Sequence, residues 1–276
     1  MAEIEQFVGT LSRLRDLKGE AVVIKIGGNV LPHREAFCDD VEALWQAGLF
    51  TVVVHGGGKA VTEMEKTLGR EASFVEGLRV TDADALELVQ MVLAGKVNSD
   101  LVAMFQGRGI DAIGLTGADG QLLLANPRQK PAGLGYVGDV KKVNVDVFVV
   151  VAEAQMVPVI APLGVTEEGQ LLNINADTVA GDIAKALSAQ HFLLLTDVPG
   201  VQDKNGDVLP SLSGARARQL IRNGTISGGM IPKVTACLDA LEGVPSAHIV
   251  DGREPHAVLR QLLTDDRVGT QFHAKA

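Results

Sequence analysis

Short apolar runs alternate with longer amphipathic stretches along this chain. A run of four to eight apolar residues is typical of a strand covered on both faces, and an apolar stripe at three- and four-residue spacing is typical of a helix. The order strand–helix–strand predicts an α/β fold: a three-layer αβα sandwich around a central, mainly parallel sheet, in two lobes. The principal predicted strands are 21–26, 51–55, 111–115, 157–161, 192–196 and 247–250.

The pattern divides the chain into a first helix and two lobes. Residues 1–20 hold the helix, whose apolar stripe either packs on its own domain or docks on another subunit as an oligomerisation arm. Residues 21–188 form the N-terminal lobe and residues 189–276 the C-terminal lobe, which ends in a helix at 255–263 and a short tail. The stripe consists of Ile4, Phe7, Val8, Leu11, Leu14 and Leu17.

The segment 51–59, TVVVHGGGK, joins a buried strand to a helix through three glycines. Gly56, Gly57 and Gly58 permit unusual backbone angles and let a ligand approach the main chain closely. Unpaired N–H groups at the start of a helix attract anions. The segment therefore predicts an oxyanion or phosphate cradle, and a tight turn without a ligand is the alternative.

Two lysines lie at positions where a cation is unfavourable unless an anion is nearby. Lys25 interrupts an apolar strand just before Gly27 and Gly28, and a buried lysine is costly without a counter-ion. Lys233 lies in the first turns of a helix, where a cation is mildly unfavourable. Asp177 opens another helix and could hold cations. The structural alternatives are a lysine at a sheet edge whose ammonium reaches solvent and a carboxylate that only caps its helix.

A further arginine and two asparagines are candidates for binding a substrate. Arg79 lies in a loop before a long helix at 82–106 and could grip a carboxylate with its planar fork, unless it is a solvated surface arginine. Asn173 and Asn175 alternate onto one face if 170–174 is a strand. A plain capping cluster is the alternative for the asparagines.

The combination of two lysines, glycine amides and one aspartate suits phosphoryl transfer, which needs charge neutralisation and in-line positioning. A carboxylate acceptor is already deprotonated, so no general base is required. The sequence has no GxxxxGK[ST], HExxH, GxSxG or paired CxxC, and it shows no convincing metal cluster. The glycine run lacks the third spaced glycine of a dinucleotide site.

Composition narrows the class of partner. The formal net charge of −9 argues against nucleic acid or an anionic membrane as a partner. Cys38 and Cys237 lie far apart and predict reduced thiols in a cytoplasmic protein. No apolar run approaches membrane-spanning length in this reading, the longest being 147–152.

Six motifs in a fixed order carry a family resemblance. With them the chain, over about 22–270, resembles the amino acid kinase family, and most closely its branch that phosphorylates N-acetyl-L-glutamate. The family name depends on this match rather than on composition or periodicity. The motifs are KIGG at 25–28, HGGGKAV at 55–61, GLRVTD at 77–82, NINADT at 173–178, TDVPGV at 196–201 and SGGMIPKV at 227–234.

The resemblance implies that ATP phosphorylates the side-chain carboxylate of N-acetyl-L-glutamate, a step of arginine biosynthesis, with Mg²⁺ carried on the ATP phosphates. It implies that Lys25 and Lys233 stabilise the transferring phosphoryl group and that Asp177 orients both lysines. The N-terminal lobe would bind the acyl amino acid and make subunit contacts. Its substrate-binding residues would be Gly57, Gly58, Arg79 and Asn173.

The resemblance assigns ATP mainly to the C-terminal lobe. The residues implied in ATP binding are Gly27, Gly28, Asp197, Val198, Gly200, Val201, Thr225, Ile226 and Ser227.

Related enzymes leave assembly and substrate choice open. The resemblance implies a homodimer or a hexamer built from dimers, with arginine as a candidate effector. Gln261 stands where feedback-inhibited relatives carry a glutamate, which argues against that effector. The alternative activities are a kinase for an aminoadipate derivative or for aspartate, or a non-catalytic amino-acid sensor of the same fold.

Overall fold

The computed structural model describes residues 2–28, 34–266 and 268–273. The predicted first helix and the two predicted lobes also include residues 1, 29–33, 267 and 274–276, which lie outside the described residues. The described helices are α1 Ala2–Asp16, α2 Arg34–Gln46, α3 Gly58–Thr67, α4 Ala83–Val89, α5 Asn98–Gln106, α6 Val145–Glu153, α7 Ala176–Ala186, α8 Gly214–Arg222, α9 Met230–Ala240 and α10 Ala257–Leu263.

The six principal predicted strands are all present, with bounds that agree to within one residue at each end. A π-helical segment, Gln90–Val97, joins α4 to α5, and a 3₁₀ turn lies at Asp119–Gln121. The described strands are β1 Ala21–Ile26, β2 Phe50–His55, β3 Phe74–Val75, β4 Leu78–Arg79, β5 Ala112–Thr116, β6 Leu123–Pro127, β7 Gly138–Val143, β8 Val157–Ala161, β9 Leu163–Val165, β10 Leu171–Asn173, β11 His191–Thr196, β12 Ser211–Ser213, β13 Ser246–Asp251 and β14 Gly269–His273.

The central sheet has eight strands in the order β12-β14-β13-β11-β1-β2-β8-β5. Among the described strands of this sheet, only β13 and β14 pair antiparallel. A smaller sheet, β10-β9-β6-β7, and the hairpin β3-β4 complete the strands. The predicted α/β fold with a mainly parallel sheet is confirmed, whereas the division into lobes at residues 188 and 189 stays a prediction.

Side chains of the central strands alternate between two cores, because successive residues of a strand point to opposite faces. In β1, Val22, Ile24 and Ile26 belong to the core beneath α2, α4, α5 and α10. Val23 belongs to the core beneath α6, α7, α8 and α9. Lys25 follows Val23 by two residues, and it therefore points toward α7 and α9.

The helical run Ala83–Gln106 is long and apolar enough to cross a membrane by length and composition. The sequence pattern predicted this helix, but the search for apolar runs of membrane-spanning length did not single it out. Many of its apolar side chains, including Leu86, Leu101 and Phe105, are buried in the core against the sheet. Core packing explains the composition of this helix.

The expectation of a short tail after 263 was wrong in structural terms, because β14 is a full member of the sheet. β14 pairs with β13 on one side and with β12 on the other. Its sequence, GTQFH, contains Phe272 as its single large apolar residue, so no apolar run marks it. Thr270 Oγ1 accepts a hydrogen bond from Val201 N at 2.8 Å, which ties β14 to the segment after β11.

Phe272 is fully buried in the second core. Phe272→Ala should lower the free energy of unfolding by about 3–5 kcal/mol, because it removes buried apolar area and leaves a cavity. Urea unfolding followed by circular dichroism measures the loss. Gln271→Ala on the same strand, at a half-buried side chain, is the control. Equal losses in the two variants would contradict a core role for β14.

Candidate functional site

Two lysines from different parts of the chain meet on one carboxylate. Lys25 Nζ lies 2.8 Å from Asp177 Oδ1, and Lys233 Nζ lies 2.8 Å from Asp177 Oδ2. Lys25 comes from β1, Asp177 from the first turn of α7 and Lys233 from the first turn of α9. Sequence reasoning singled out all three residues, and the fold brings them together.

Local structure leaves the Asp177 carboxylate available for both cations. Asn175, not Asp177, is the N-cap of α7, and its Oδ1 accepts hydrogen bonds from Asp177 N at 2.8 Å and Thr178 N at 3.2 Å. The capping task is thereby met by a neighbour. Each carboxylate oxygen of Asp177 then holds a different lysine.

Electrostatics keep this group ionised. Burial alone would raise the pKa of Asp177, but the charges of Lys25 and Lys233 outweigh it and lower the pKa to about 2. Burial lowers the pKa of Lys25, with Asp177 opposing that shift and Lys233 adding to it. Two ammonium groups against one carboxylate leave an excess of positive charge, which suits an anionic ligand.

Two glycine loops lie over the Lys25 ammonium. A Cβ atom placed on Gly27 would lie 3.8 Å from Lys25 Nζ, and one on Gly56 would lie 3.7 Å from it. A Cβ on Gly57 would overlap Leu93 Cδ2, so a larger residue there would have to displace the Leu93 side chain. The loops after β1 and β2 thus leave the backbone close to the ammonium group.

The first cavity, of about 260 Å³, lies on one side of Lys25. Its lining joins the second glycine loop, the hairpin β3-β4 and the start of α7. The site residues in its lining are Lys25, Gly28, Gly57, Gly58, Arg79, Asn173, Asn175 and Asp177. Apolar side chains complete the walls, including Leu78, Leu93 and Val137. The lining thus combines cationic and amide side chains with apolar walls, a mixture common in small-molecule pockets.

Arg79 is buried and belongs to β4, whereas the sequence pattern placed it in a loop. Its guanidinium group forms a buried ion pair with Glu65. The same group donates to Gly58 O at 2.9 Å and to Thr62 Oγ1 at 2.6 Å, and it stacks over the Phe74 ring. These contacts fix the fork on α3 at the edge of the cavity.

Asn173 ends β10 in the wall of the first cavity, and its Nδ2 donates to Thr81 Oγ1 at 3.1 Å. Asn175 lines the same cavity but was left out of the predicted site. Its position two residues after Asn173 was the signal that could have included it. Glu65 was also missed, since one acidic residue in a helix carries no distinguishing pattern.

The second cavity, also about 260 Å³, lies on the other side of Lys25, where β1 and β11 are neighbours. After β1 the chain moves to β2 on one side, and it later returns to β11 on the other. Such a switch point is where open α/β sheets bind ligands, beyond the carboxyl ends of the strands. The lining consists of Lys25, Gly27, Gly28, Gly58, Lys59, Leu195, Thr196, Asp197 and Lys233.

The remaining residues assigned to ATP do not line this cavity. Val201 and Ile226 are buried in the second core, and the former is held by Thr270. Neither these two nor Val198, Gly200, Thr225 and Ser227 belong to the lining of the second cavity. Lys59 does line it, and its place directly after three glycines was the signal that sequence reasoning passed over.

The chemistry of the donors is that of an anion site. No cluster of three or more histidine, cysteine, aspartate or glutamate side chains within the described ranges could hold a metal ion. Lys25, Gly28 and Gly58 line both cavities. A group that passes from one cavity to the other would therefore cross beside Lys25.

Comparisons with known proteins identify the family of this chain. The amino acid kinase family model matches residues 20–251. Acetylglutamate kinase of Bordetella avium is 46% identical over 276 residues, covering 96% of this chain and 92% of the relative.

Solved structures share the fold. The Streptococcus mutans protein smu.665 is 32% identical with a TM-score of 0.82, covering 92% of this chain and 99% of its own. N-acetylglutamate synthase of Neisseria gonorrhoeae, at 24% identity and a TM-score of 0.89, is alike in fold. That match covers 99% of this chain, which spans 64% of the synthase. By the family model and the extent of these matches, the chain belongs to the amino acid kinase family.

Proposed function

We propose that this chain transfers the γ-phosphoryl group of ATP to the side-chain carboxylate of N-acetyl-L-glutamate. The product is N-acetyl-L-glutamyl 5-phosphate, an intermediate of arginine biosynthesis. The observation that carries the proposal is the meeting of Lys25 and Lys233 on Asp177, between two cavities. The similarity to acetylglutamate kinases supports the acceptor and does not favour the aminoadipate, aspartate or sensor alternatives.

The proposed reaction needs no proton transfer at the acceptor. A carboxylate oxygen forms a bond to the γ-phosphorus, the bond to the β–γ bridging oxygen breaks, and ADP leaves with the electron pair. Negative charge is spread over the phosphoryl oxygens during transfer. Lys25 and Lys233 would neutralise that charge, and Asp177 would hold both ammonium groups in place before substrates arrive.

Each cavity would receive one substrate. In the first, Arg79 and the asparagine Asn173 would hold the α-carboxylate and the acetamido group, and the N–H groups of Gly57 and Gly58 would face the acceptor. The second cavity would receive the phosphates of ATP, with Mg²⁺ carried on them. This assignment of substrates to cavities is supported by Lys233 and Asp197, which line the second cavity and not the first.

An acceptor assay tests the proposal. ADP release is measured with N-acetyl-L-glutamate, an N-acetylated aminoadipate and aspartate as separate acceptors. N-acetyl-L-glutamate should give the highest kcat/KM. Robust turnover with another acceptor and none with N-acetyl-L-glutamate would end the proposal.

Assembly is part of the proposal. Four apolar side chains of α1 are at least 47% exposed, namely Ile4, Phe7, Val8 and Leu11. The inner side of the helix is held by Arg13, which donates to Leu263 O at 3.1 Å and to Asp265 Oδ1 at 2.6 Å. We infer that the exposed stripe docks on a second copy of the chain, in a homodimer or a hexamer built from dimers in the cytoplasm.

Lys233→Ala should lower kcat by about a hundredfold or more, because a cation that faces the developing charge is lost. The KM values should change little, since neither substrate is held mainly by this side chain. Steady-state kinetics with both substrates measure the split. Lys141→Ala, at an exposed lysine on β7, is the control, and wild-type turnover in Lys233→Ala would refute the assigned role.

Arg79→Lys should raise the KM for N-acetyl-L-glutamate about 10- to 100-fold, the equivalent of losing one charge-assisted hydrogen bond. Lysine keeps the charge that compensates Glu65 but loses the fork. The KM for ATP should stay unchanged. Arg70→Lys, in an exposed pair with Asp82 and Asp84, is the control; a pure loss of kcat at Arg79 would contradict a substrate clamp.

Arginine should leave turnover and solution mass unchanged. Gln261 is neutral, and its amide is already engaged with His248 Nδ1 at 2.9 Å and with Val268 N at 3.2 Å. It cannot supply the negative charge that a guanidinium group would need. Light scattering gives the mass with and without arginine, and a mass of one chain would also contradict the docking of α1.

A further inference from the structure

His55 is the last residue of β2 and directly precedes the glycine loop, yet the proposed chemistry does not use it. Its side chain is fully buried. It follows Val53 by two residues and therefore points to the face opposite Lys25, toward the helical run that contains Asn98. A buried imidazole beside a ligand-binding loop calls for a role.

The hydrogen bonds of His55 determine which ring nitrogen carries the proton. Nδ1 lies 2.8 Å from Gly56 O, and a carbonyl oxygen can only accept. Nδ1 must therefore donate. Nε2 lies 3.2 Å from Asn98 Nδ2, which is a donor, so Nε2 accepts. The ring is neutral and protonated on Nδ1.

Asn98 is fixed in turn by the sheet. Its Nδ2 also donates to Val159 O in β8 at 2.8 Å, so the amide orientation is set by two acceptors. Asn98 is the first residue of α5, directly after the π-helical segment. The chain of contacts thus runs from β8 through Asn98 and His55 to the carbonyl of Gly56.

Burial supports the neutral ring. It lowers the pKa of His55 to about 4, with the bond to Gly56 opposing the shift and the charge of Lys25 adding to it. At neutral pH the ring therefore carries one proton, as the hydrogen bonds require. The same contacts would be broken if Nε2 became protonated, because it would then face a donor.

The bond to Gly56 O fixes the orientation of a peptide group. In a trans peptide the carbonyl and the following N–H point in opposite directions. With Gly56 O held toward His55, the N–H of Gly57 points away from it. Gly56, Gly57 and Gly58 line the first cavity, whereas His55 does not. In the described part of the chain the Gly57 N–H has no hydrogen-bond partner.

We propose that His55 and Asn98 are positioning residues that hold the Gly56–Gly57 peptide with its N–H facing the acceptor and the transferring phosphoryl group. This inference rests on the proposed function. A donor whose direction is set beforehand costs no reorganisation when charge develops. Leu93 packs against Gly57 from the π-helical segment, so the loop is held by packing and by a hydrogen bond.

Two substitutions separate positioning from mere packing. In His55→Asn the side-chain nitrogen is as many bonds from Cα as Nδ1, so a donor to Gly56 O is kept. In His55→Gln the amide extends to the position of Nε2, and that donor is lost. His55→Gln should lower kcat about 10- to 100-fold, toward the loss of one oxyanion donor, with KM for ATP unchanged. His55→Asn should stay within about threefold of wild type.

Equal kinetics in the two variants would overturn the proposal, because packing alone would then account for His55. A second measurement uses the unsubstituted chain. Nitrogen-15 NMR of labelled histidines should show His55 as the Nδ1–H tautomer. The Nε2–H form would overturn the positioning role of His55 even if His55→Gln failed to fold.

The amide resonance of Gly57 distinguishes failure of the positioning role of His55 from failure of the proposed function. It should shift in His55→Gln and stay near its wild-type position in His55→Asn. If the wild-type chain does not phosphorylate N-acetyl-L-glutamate, the proposed function fails. The comparison of the two variants still decides whether His55 orients the Gly57 N–H. An unchanged Gly57 amide in both variants would overturn that positioning role.

Discussion

The carboxylate of Asp177 is the contact on which the site depends. It holds the ammonium groups of Lys25 and Lys233 at 2.8 Å each, from strand β1 and helix α9. Removing it would leave two buried or half-buried cations facing each other, and an uncompensated buried charge is strongly unfavourable. The same carboxylate keeps the cations near the position where a phosphoryl group would pass. Stability and chemistry therefore make the same demand on this residue.

The strand geometry distributes the polar groups. Because side chains alternate, Lys25 leaves the sheet toward α7 and α9, whereas His55 leaves it toward the opposite core. One face of the sheet therefore supplies positive charge to the site. The other face supplies the neutral imidazole of His55, which is proposed to orient the peptide group between Gly56 and Gly57. The glycines between them have no side chains, so the cavity can approach both.

The arrangement of loops at the strand ends explains why the two cavities share a wall. Gly27 and Gly28 after β1 and the segments after β2 and β11 meet at the carboxyl edge of the sheet, where the chain changes direction across it. Lys25, Gly28 and Gly58 border both cavities. Two anions held on either side would meet at a place where positive charge is already organised. The strand β14 lies outside this arrangement but holds one of its supporting segments through Thr270.

Sequence by itself determined the main strands, the glycine turns and the three charged residues, because each depends on local periodicity or on the cost of burying a cation. It did not reveal β14, whose single large apolar residue, Phe272, gives no run; neighbouring strands supply its pairing. Nor did it reveal the partnership of Arg79 with Glu65, 14 residues apart in sequence. Only the tertiary structure decided which polar side chains face each other, since that depends on how distant strands and helices pack.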